Sequence, residues 1–209
     1  IEGIERIRLG SLEPGIITEE FAEAISKLPK MCPHFHLSLQ SGCNATLKRM
    51  NRRYTSEEYA ERCGILRKYF ENPALTTDVI VGFPGETEEE FEASRNFVDS
   101  IDFYETHIFK YSRREGTKAA VMPDQVSEGK KSARSAEMIE MGEQKRRAYE
   151  ESFIGKEVVV LVKEVIERNG EIFWTGHTKE YIKIALQSRE NLRNCIVKVQ
   201  IEDALQIIH

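Results

Sequence analysis

Leu75-Thr-Thr-Asp-Val-Ile-Val-Gly-Phe-Pro-Gly-Glu-Thr-Glu-Glu-Glu-Phe91 decides how the chain is read. A β-branched run empties into Gly82-Phe-Pro-Gly-Glu86, and an acidic helix start follows. Thr87 and Glu90 have the spacing of a capping box, and Phe91, Val98 and Ile101 continue one apolar helical face. Glycines at the end of such a strand leave backbone amides uncovered by β-carbons, so they can floor a small polar ligand above the strand. A plain tight βα turn uses the same residues, and this segment alone leaves both readings open.

The same order repeats on either side of it. Strand-like runs near 4–10, 35–40, 75–82 and 105–111 alternate with helical patterns. Thr18 heads a segment with Phe21, Ile25 and Leu28 on one face. Thr55 and Glu58 form a second capping box ahead of Tyr59, Cys63, Leu66 and Phe70. Crossovers of this length require parallel strands. In each unit the polar, glycine-rich cluster follows the strand: Gly10-Ser-Leu-Glu-Pro14, Gln40-Ser-Gly-Cys-Asn44, Gly82 to Thr87, and Tyr111-Ser-Arg-Arg-Glu-Gly-Thr117. Parallel sheets place ligands at the carboxyl ends of their strands, so these clusters are predicted to share one face.

From Ser127 to Ser152 the chain is highly charged and free of proline, a pattern that predicts a long helix packed through Met138, Met141 and Tyr149. Beyond Phe153 the character changes. Val158–Val162, Phe173–His177, Tyr181–Ala185 and Cys195–Ile201 read as short strands, with a turn at Arg168-Asn-Gly170. Such strands predict a small all-β, OB-like barrel. The expected division is therefore residues 1–125, an α/β region; 126–152, a linking helix; and 153–209, the small barrel.

The 209 residues are 40% apolar and 31% charged, with a formal net charge of −5. This composition fits a globular protein with a real core, and it argues against dense, nonspecific coating of nucleic acid. No apolar run approaches the ~18 residues that span a bilayer, and no signal peptide is present, so no membrane partner and a cytoplasmic location are expected. The start, Ile1-Glu-Gly-Ile-Glu-Arg6, lacks a methionine and reads as a cut inside a larger protein. Cys32, Cys43, Cys63 and Cys195 are irregularly spaced, with no CxxC pair. They fit reduced thiols better than a disulfide frame or a zinc site.

Strand 35–40 alternates. His34, His36, Ser38 and Gln40 share one side, and Phe35, Leu37 and Leu39 share the other. In a barrel of parallel strands the apolar side faces the helices and the polar side the lumen, which suits a bound polar cofactor. His-x-His on a strand is also a zinc signature of barrel hydrolases. Only His107, His177 and His209 remain as further imidazoles, so structural histidines are the favoured reading and no bound metal is expected. Arg113 and Arg114 can fork to carboxylate or phosphate, or belong to a solvated loop. In the small barrel Lys and Arg balance Asp and Glu. Trp174, His177, Tyr181 and Lys183, with Lys179, can combine base stacking with phosphate contact; Trp174 and Tyr181 serve equally as core aromatics.

Three longer stretches resemble a known family: His34-Phe-His-Leu-Ser-Leu-Gln-Ser-Gly-Cys-Asn-Ala-Thr-Leu-Lys-Arg-Met-Asn-Arg-Arg-Tyr-Thr55, Thr77-Asp-Val-Ile-Val-Gly-Phe-Pro-Gly-Glu-Thr87 and Tyr111-Ser-Arg-Arg-Glu-Gly-Thr-Lys-Ala-Ala120. They look like the radical S-adenosylmethionine methylthiotransferases, and most like the branch acting on N6-threonylcarbamoyladenosine beside the tRNA anticodon. The isopentenyladenosine and ribosomal-protein branches are close relatives, and the alternative from another class is a noncatalytic RNA-binding module that uses the α/β part as a scaffold. Arg6-Ile-Arg-Leu-Gly-Ser-Leu-Glu-Pro14 matches that family's third barrel strand, and Phe153 through Ile201 looks like its RNA-binding TRAM domain.

The resemblance implies the last four of six strands of a partial parallel (β/α) barrel followed by a TRAM barrel. It also implies that Ser38 and Gln40 approach a cofactor ribose. Ile80, Gly82 and Glu86 would lie along the adenine and order the turn, and Phe109 to Tyr111 would read adenine through the backbone. In the intact family S-adenosylmethionine and two 4Fe-4S clusters serve the reaction, in which a methylthio group is added at an adenine C2. The cluster-binding CxxxCxxC loop is not in this sequence. The expectations are therefore an inactive fragment without bound cofactor, contact with the tRNA anticodon stem-loop through the residues named above, and self-association through the open edge at strand 4–10.

Overall fold

Thr18, Thr55, Thr87 and Ser127 each accept a backbone N–H at a helix start, and these caps frame the N-terminal region. The computed structural model describes residues 2–168 and 170–209. Its first part runs β1 (Ser11–Leu12), a 3-10 turn (Pro14–Ile16), α1 (Glu19–Ser26), β2 (His34–Leu37), α2 (Asn44–Arg49), α3 (Ser56–Tyr69), β3 (Ala74–Val81), α4 (Glu88–Ile101), β4 (Glu105–Lys110), a second 3-10 turn (Lys118–Val121) and α5 (Glu128–Glu151). The strands are parallel and adjacent in chain order, β1-β2-β3-β4. Both capping boxes form, at Thr55/Glu58 and Thr87/Glu90.

The alternation of strand 35–40 holds. Phe35, Leu37 and Leu39 are buried in a core with Tyr59, Leu66, Val79, Phe91, Val98 and Phe103. The opposite side of the sheet carries His36, Ser38 and Gln40 from the β2 segment, Thr76, Asp78 and Ile80 from β3, and His107 and Phe109 from β4, as the register requires. α5 packs beside β4, with Met138 fully buried and Tyr149 against Tyr104 and Phe153. Gly142 permits this approach, because a Cβ there would come within 2.3 Å of Thr106 Oγ1.

Several expectations need correction. Residues 4–10 form no continuous strand: Ile7 makes a single parallel bridge to Met31, and the regular pairing is delayed to Ser11–Leu12. The cluster expected to follow the first strand thus supplies the strand itself. The physical reason lies in Arg6 and Arg8, which face the C-terminal sheet. Arg6 donates from Nη1 to the His177 carbonyl at 2.8 Å and from Nη2 to the Val159 carbonyl at 2.6 Å. The Arg8 guanidinium sits 4.0 Å from the Tyr181 ring centre. These arginines dock the segment onto the rest of the chain, while β1 remains an edge of the parallel sheet. Leu28 is exposed, leaving Ile25 and half-buried Phe21 as the packed residues of that helix. α2 was not anticipated, since Cys43 at its start offers no side-chain cap.

The C-terminal part is an antiparallel sheet of β5 (Glu157–Arg168), β6 (Glu171–His177), β7 (Lys183–Leu186) and β8 (Ile196–Gln200), in the order β7-β6-β5-β8. A bulge between Val162 and Glu164 bends β5, and Ile207 bridges back to Ile184. The sheet wraps a second core of Val158, Val160, Val162, Ile182, Ile184 and Ile201, joined by Ala74 and Tyr104 of the first part. The strand expected at 181–185 begins at Lys183 instead, because Tyr181 takes a left-handed backbone (φ 75°) and turns the chain. Of the expected turn Arg168-Asn-Gly170, Asn169 lies outside the described residues.

Candidate functional site

The turn after β3 is held by a buried ion pair. Glu86 Oε2 accepts from the Gly82 N–H at 2.7 Å and from Arg134 Nη1 at 2.7 Å. Arg134 also donates to the Glu86 and Thr87 carbonyls and to Glu88. Burial pushes the Glu86 carboxyl up from its ordinary range, while the Gly82 amide and Arg134 pull it back. Gly82 has φ +72°, and a Cβ there would lie 2.4 Å from Lys131 Cγ. Lys131 in turn donates from Nζ to the Tyr111 carbonyl at 3.1 Å. On the other side Arg49 holds Glu90 and the Pro84 carbonyl. Two helices, α2 and α5, therefore fix the glycine-rich turn through charged side chains.

This turn walls a cavity of about 520 Å3 at the carboxyl ends of β3 and β4. Ile80, Phe83 and Phe109 supply its apolar surface, while Gln40, Tyr111 and Arg114 are among its polar residues. Gln40 has φ +71°, a left-handed backbone unusual for a side chain of its size. In that conformation it bridges to β3 on both sides, its N–H donating to the Asp78 carbonyl and its carbonyl accepting from Ile80 N–H. Tyr111 N–H donates to the Val81 carbonyl at 2.9 Å, and Phe83 meets the Tyr111 ring edge-on. The Tyr111 hydroxyl is buried without a hydrogen-bond partner among the described residues. A buried polar atom of this kind calls for a ligand or water. A second cleft, of about 380 Å3, adjoins the first through Gln40 and includes Ser38, Arg52 and Tyr54.

An apolar floor with a few inward polar groups fits an adenosine-type ligand such as S-adenosylmethionine. The thiols do not fit an iron–sulfur cluster. No grouping of metal-ligating side chains among the described residues includes a cysteine. Burial pushes the Cys63 thiol up to about 12 and raises Cys32 as well, so neither is a ready thiolate.

Of the residues expected to hold the cofactor, Gln40, Ile80, Phe109 and Tyr111 line the cavity and Ser38 the adjoining cleft. Gly82 and Glu86 lie behind it, bonded to each other. Arg113 and Arg114 are exposed, and Arg114 reaches the cavity rim. The residues expected to meet RNA are not gathered on one open face. His177 stacks on Tyr181 at 4.3 Å, and Tyr181 covers His34 at 5.3 Å while Arg8 lies on it. Lys179 donates to the Pro29 carbonyl, Lys183 faces Glu164 at 3.6 Å, and Trp174 packs on the second core. Burial lowers His34 to about 4, with Arg8 adding to the effect. It lowers His177 to about 4 as well, with Lys163 and Lys183 adding.

Sequence reasoning missed the α5 clamp of Lys131 and Arg134, and it missed Asp78 and His107 on the lumen side. His36, Asp78 and His107 converge there, whereas His34 lies apart under Tyr181. Period-two alternation applied to β3 and β4, as it was to β2, would have marked Asp78 and His107.

Residues 2–98 match the family described as the radical SAM superfamily. The chain is 41% identical over 202 residues to the threonylcarbamoyladenosine tRNA methylthiotransferase MtaB of Bacillus subtilis (strain 168), a match covering 96% of this chain and 45% of that protein. It is 38% identical over 201 residues to the tRNA-2-methylthio-N(6)-dimethylallyladenosine synthase of Acetivibrio thermocellus, covering 96% and 42%. The solved structure of coproporphyrinogen III oxidase (HemN) from Escherichia coli, a radical SAM enzyme, superposes with a TM-score of 0.56 at 17% identity. That match covers 67% of this chain and 32% of the oxidase, and it bears on the fold alone. The chain spans less than half the length of the curated relatives it matches. The radical SAM match takes in β1 to β3 of the parallel sheet, and over nearly its whole length the chain is similar to the tRNA methylthiotransferases of that superfamily.

Proposed function

We propose that the chain forms the cofactor floor and the RNA-contacting end of a cytoplasmic tRNA methylthiotransferase. Its substrate is N6-threonylcarbamoyladenosine beside the anticodon, modified at C2. The observation that carries this reading is the cavity at the ends of β3 and β4, with its apolar floor and its orphaned Tyr111 hydroxyl. Ile80 and Phe109, side by side on adjacent strands, would lie along the adenine, and the backbone from Phe109 to Tyr111 would read its edge. Gln40 and Ser38 would meet the ribose. Gly82 and Glu86 keep the turn in shape through Arg134. When bound, S-adenosylmethionine supplies the hydrogen-abstracting group and the methyl group. The chain's own thiols offer no cluster ligands, so these residues alone do not turn over. Residues 153–209 act as the TRAM domain, joined to the cofactor half by α5. Arg113 and Arg114 contact phosphate of the anticodon stem-loop at the cavity rim, and Lys179, Lys183, Trp174, His177 and Tyr181 serve the RNA or the docking of the two parts.

Isothermal titration of S-adenosylmethionine into the purified chain tests the floor. Saturable binding is expected, and Ile80→Asp should abolish it. Equal binding by that variant would remove the cavity from the argument. The branch is read from tRNA nucleosides of cells lacking the gene, by mass spectrometry. The methylthio form of N6-threonylcarbamoyladenosine should vanish. If the methylthio form of isopentenyladenosine vanishes in its place, the second branch is correct, a reading favoured by the 38% identity to a dimethylallyladenosine synthase.

A further inference from the structure

We propose that His36, Asp78 and His107 form a binding site for one divalent transition-metal ion of the zinc class, on the lumen side of the parallel sheet below the cofactor cavity. The three residues come from consecutive strands. Asp78 is the direct register partner of His107, and His36 is that of Thr76, two residues before Asp78. Their ligand atoms all lie within 4.8 Å of one another, and the His36 and His107 ring centres are 5.8 Å apart.

The geometry inside the cluster matches a shared ion better than an ordinary pair. His36 Nδ1 lies 2.9 Å from Thr76 Oγ1, and its Nε2 lies 3.4 Å from Asp78 Oδ2. With Nδ1–H donating to the threonine hydroxyl, Nε2 presents a lone pair to a carboxylate oxygen, an arrangement that asks for a cation between them. The opposite tautomer would make an Nε2–H···O bond, for which 3.4 Å is long, and it would leave His107 without a part. Two ligands about 2.0–2.1 Å from a tetrahedral ion stand about 3.4 Å apart, which is the His36–Asp78 spacing.

His107 is exposed and can swing into the third position, with solvent in the fourth. Thr76, itself buried, then acts as the outer partner that fixes the ring of a metal-binding histidine. Two imidazoles and one carboxylate suit zinc, cobalt or nickel rather than magnesium or calcium. Asp78 also lines the cofactor cavity, but the site uses no thiol and neither Ile80 nor Phe109, so metal uptake and S-adenosylmethionine binding are tested separately.

The test uses the tag-free, chelator-treated chain, titrated with Zn2+ by calorimetry and with Co2+ by visible spectroscopy. One equivalent of each ion is expected to bind, and the cobalt form should show the d–d bands of a tetrahedral ion. His36→Ala and His107→Ala should each weaken binding at least ~10-fold, and Thr76→Val about 10-fold through the lost orientation. His209→Ala, far along the chain, should bind as the parent does. No saturable uptake by the parent chain would overturn the proposal. So would undiminished binding by His107→Ala, which decides the matter even if the half-buried His36 variant loses its fold.

Discussion

Replacing Arg134 by Met should expose how much the glycine-rich turn depends on one guanidinium. The Arg134 and Glu86 side chains are only 5% and 1% exposed, so the substitution strands a carboxylate in a nearly dry site. Breaking a buried pair from one side costs about 3–5 kcal/mol, far more than an exposed pair contributes. The Gly82 N–H remains as a partner and offsets part of this, which places the expected loss near 3 kcal/mol at pH 7. The Glu86 carboxyl is already raised by burial, and without Arg134 it rises further. Between the ordinary carboxylate pKa and that raised value the folded state holds a proton that the unfolded state lacks. Stability of the variant relative to the parent should therefore recover as pH falls.

Urea unfolding followed by circular dichroism at pH 7 and pH 5 measures both effects. The double variant Glu86→Gln/Arg134→Met should be more stable than Arg134→Met alone at pH 7. A loss below about 1 kcal/mol, or one that is the same at both pH values, would refute the buried-pair account.

Other expectations follow from single contacts. His34 and His177 are neutral in the fold with pKa values near 4. The unfolded chain takes up protons from about pH 6.5 downward, so their contribution is complete above that pH and is lost as pH falls toward 4. For His34 alone this amounts to about 3 kcal/mol, and His34→Gln should flatten the acid limb of urea midpoints measured against pH. Arg8→Ala removes the cation over Tyr181 and a charge that depresses His34. It should cost about 1 kcal/mol and raise the His34 pKa in an NMR titration. Gly176→Ala sets a Cβ 2.2 Å from the Leu161 carbonyl oxygen. The β5–β6 pair must part to admit it, and a thermal melt should show a loss above about 2 kcal/mol.

Much of this architecture is legible in local signals. The threonine caps, the two capping boxes and the alternation through Phe35, Leu37 and Leu39 are written within a few residues, and each appears where its chemistry places it. The failures share a cause in distance. Residues 4–10 look like a continuous strand until the partners of Arg6 and Arg8 from β5 and the Tyr181 loop are in place. That Tyr181 and His177 stack on each other beside Arg8 depends likewise on contacts far apart in the chain. The Lys131 and Arg134 clamp depends on where α5 crosses the sheet, and no short window of sequence states that crossing. The grouping of His36, Asp78 and His107 depends on register across three strands.

The docking of Arg6 onto the His177 carbonyl joins groups 171 positions apart in the chain. A ribosome adding about 5–20 residues per second needs roughly ten to thirty seconds to cover that interval. The parallel sheet is complete once Lys110 has been added, and for the rest of that interval Arg6, Arg8 and His34 lack the surface that later covers them. The β6 segment and the Tyr181 loop therefore act as a late clasp. Folding of the first half is provisional until translation delivers its last stretch, which gives chaperones and misassembly a defined window in which to act.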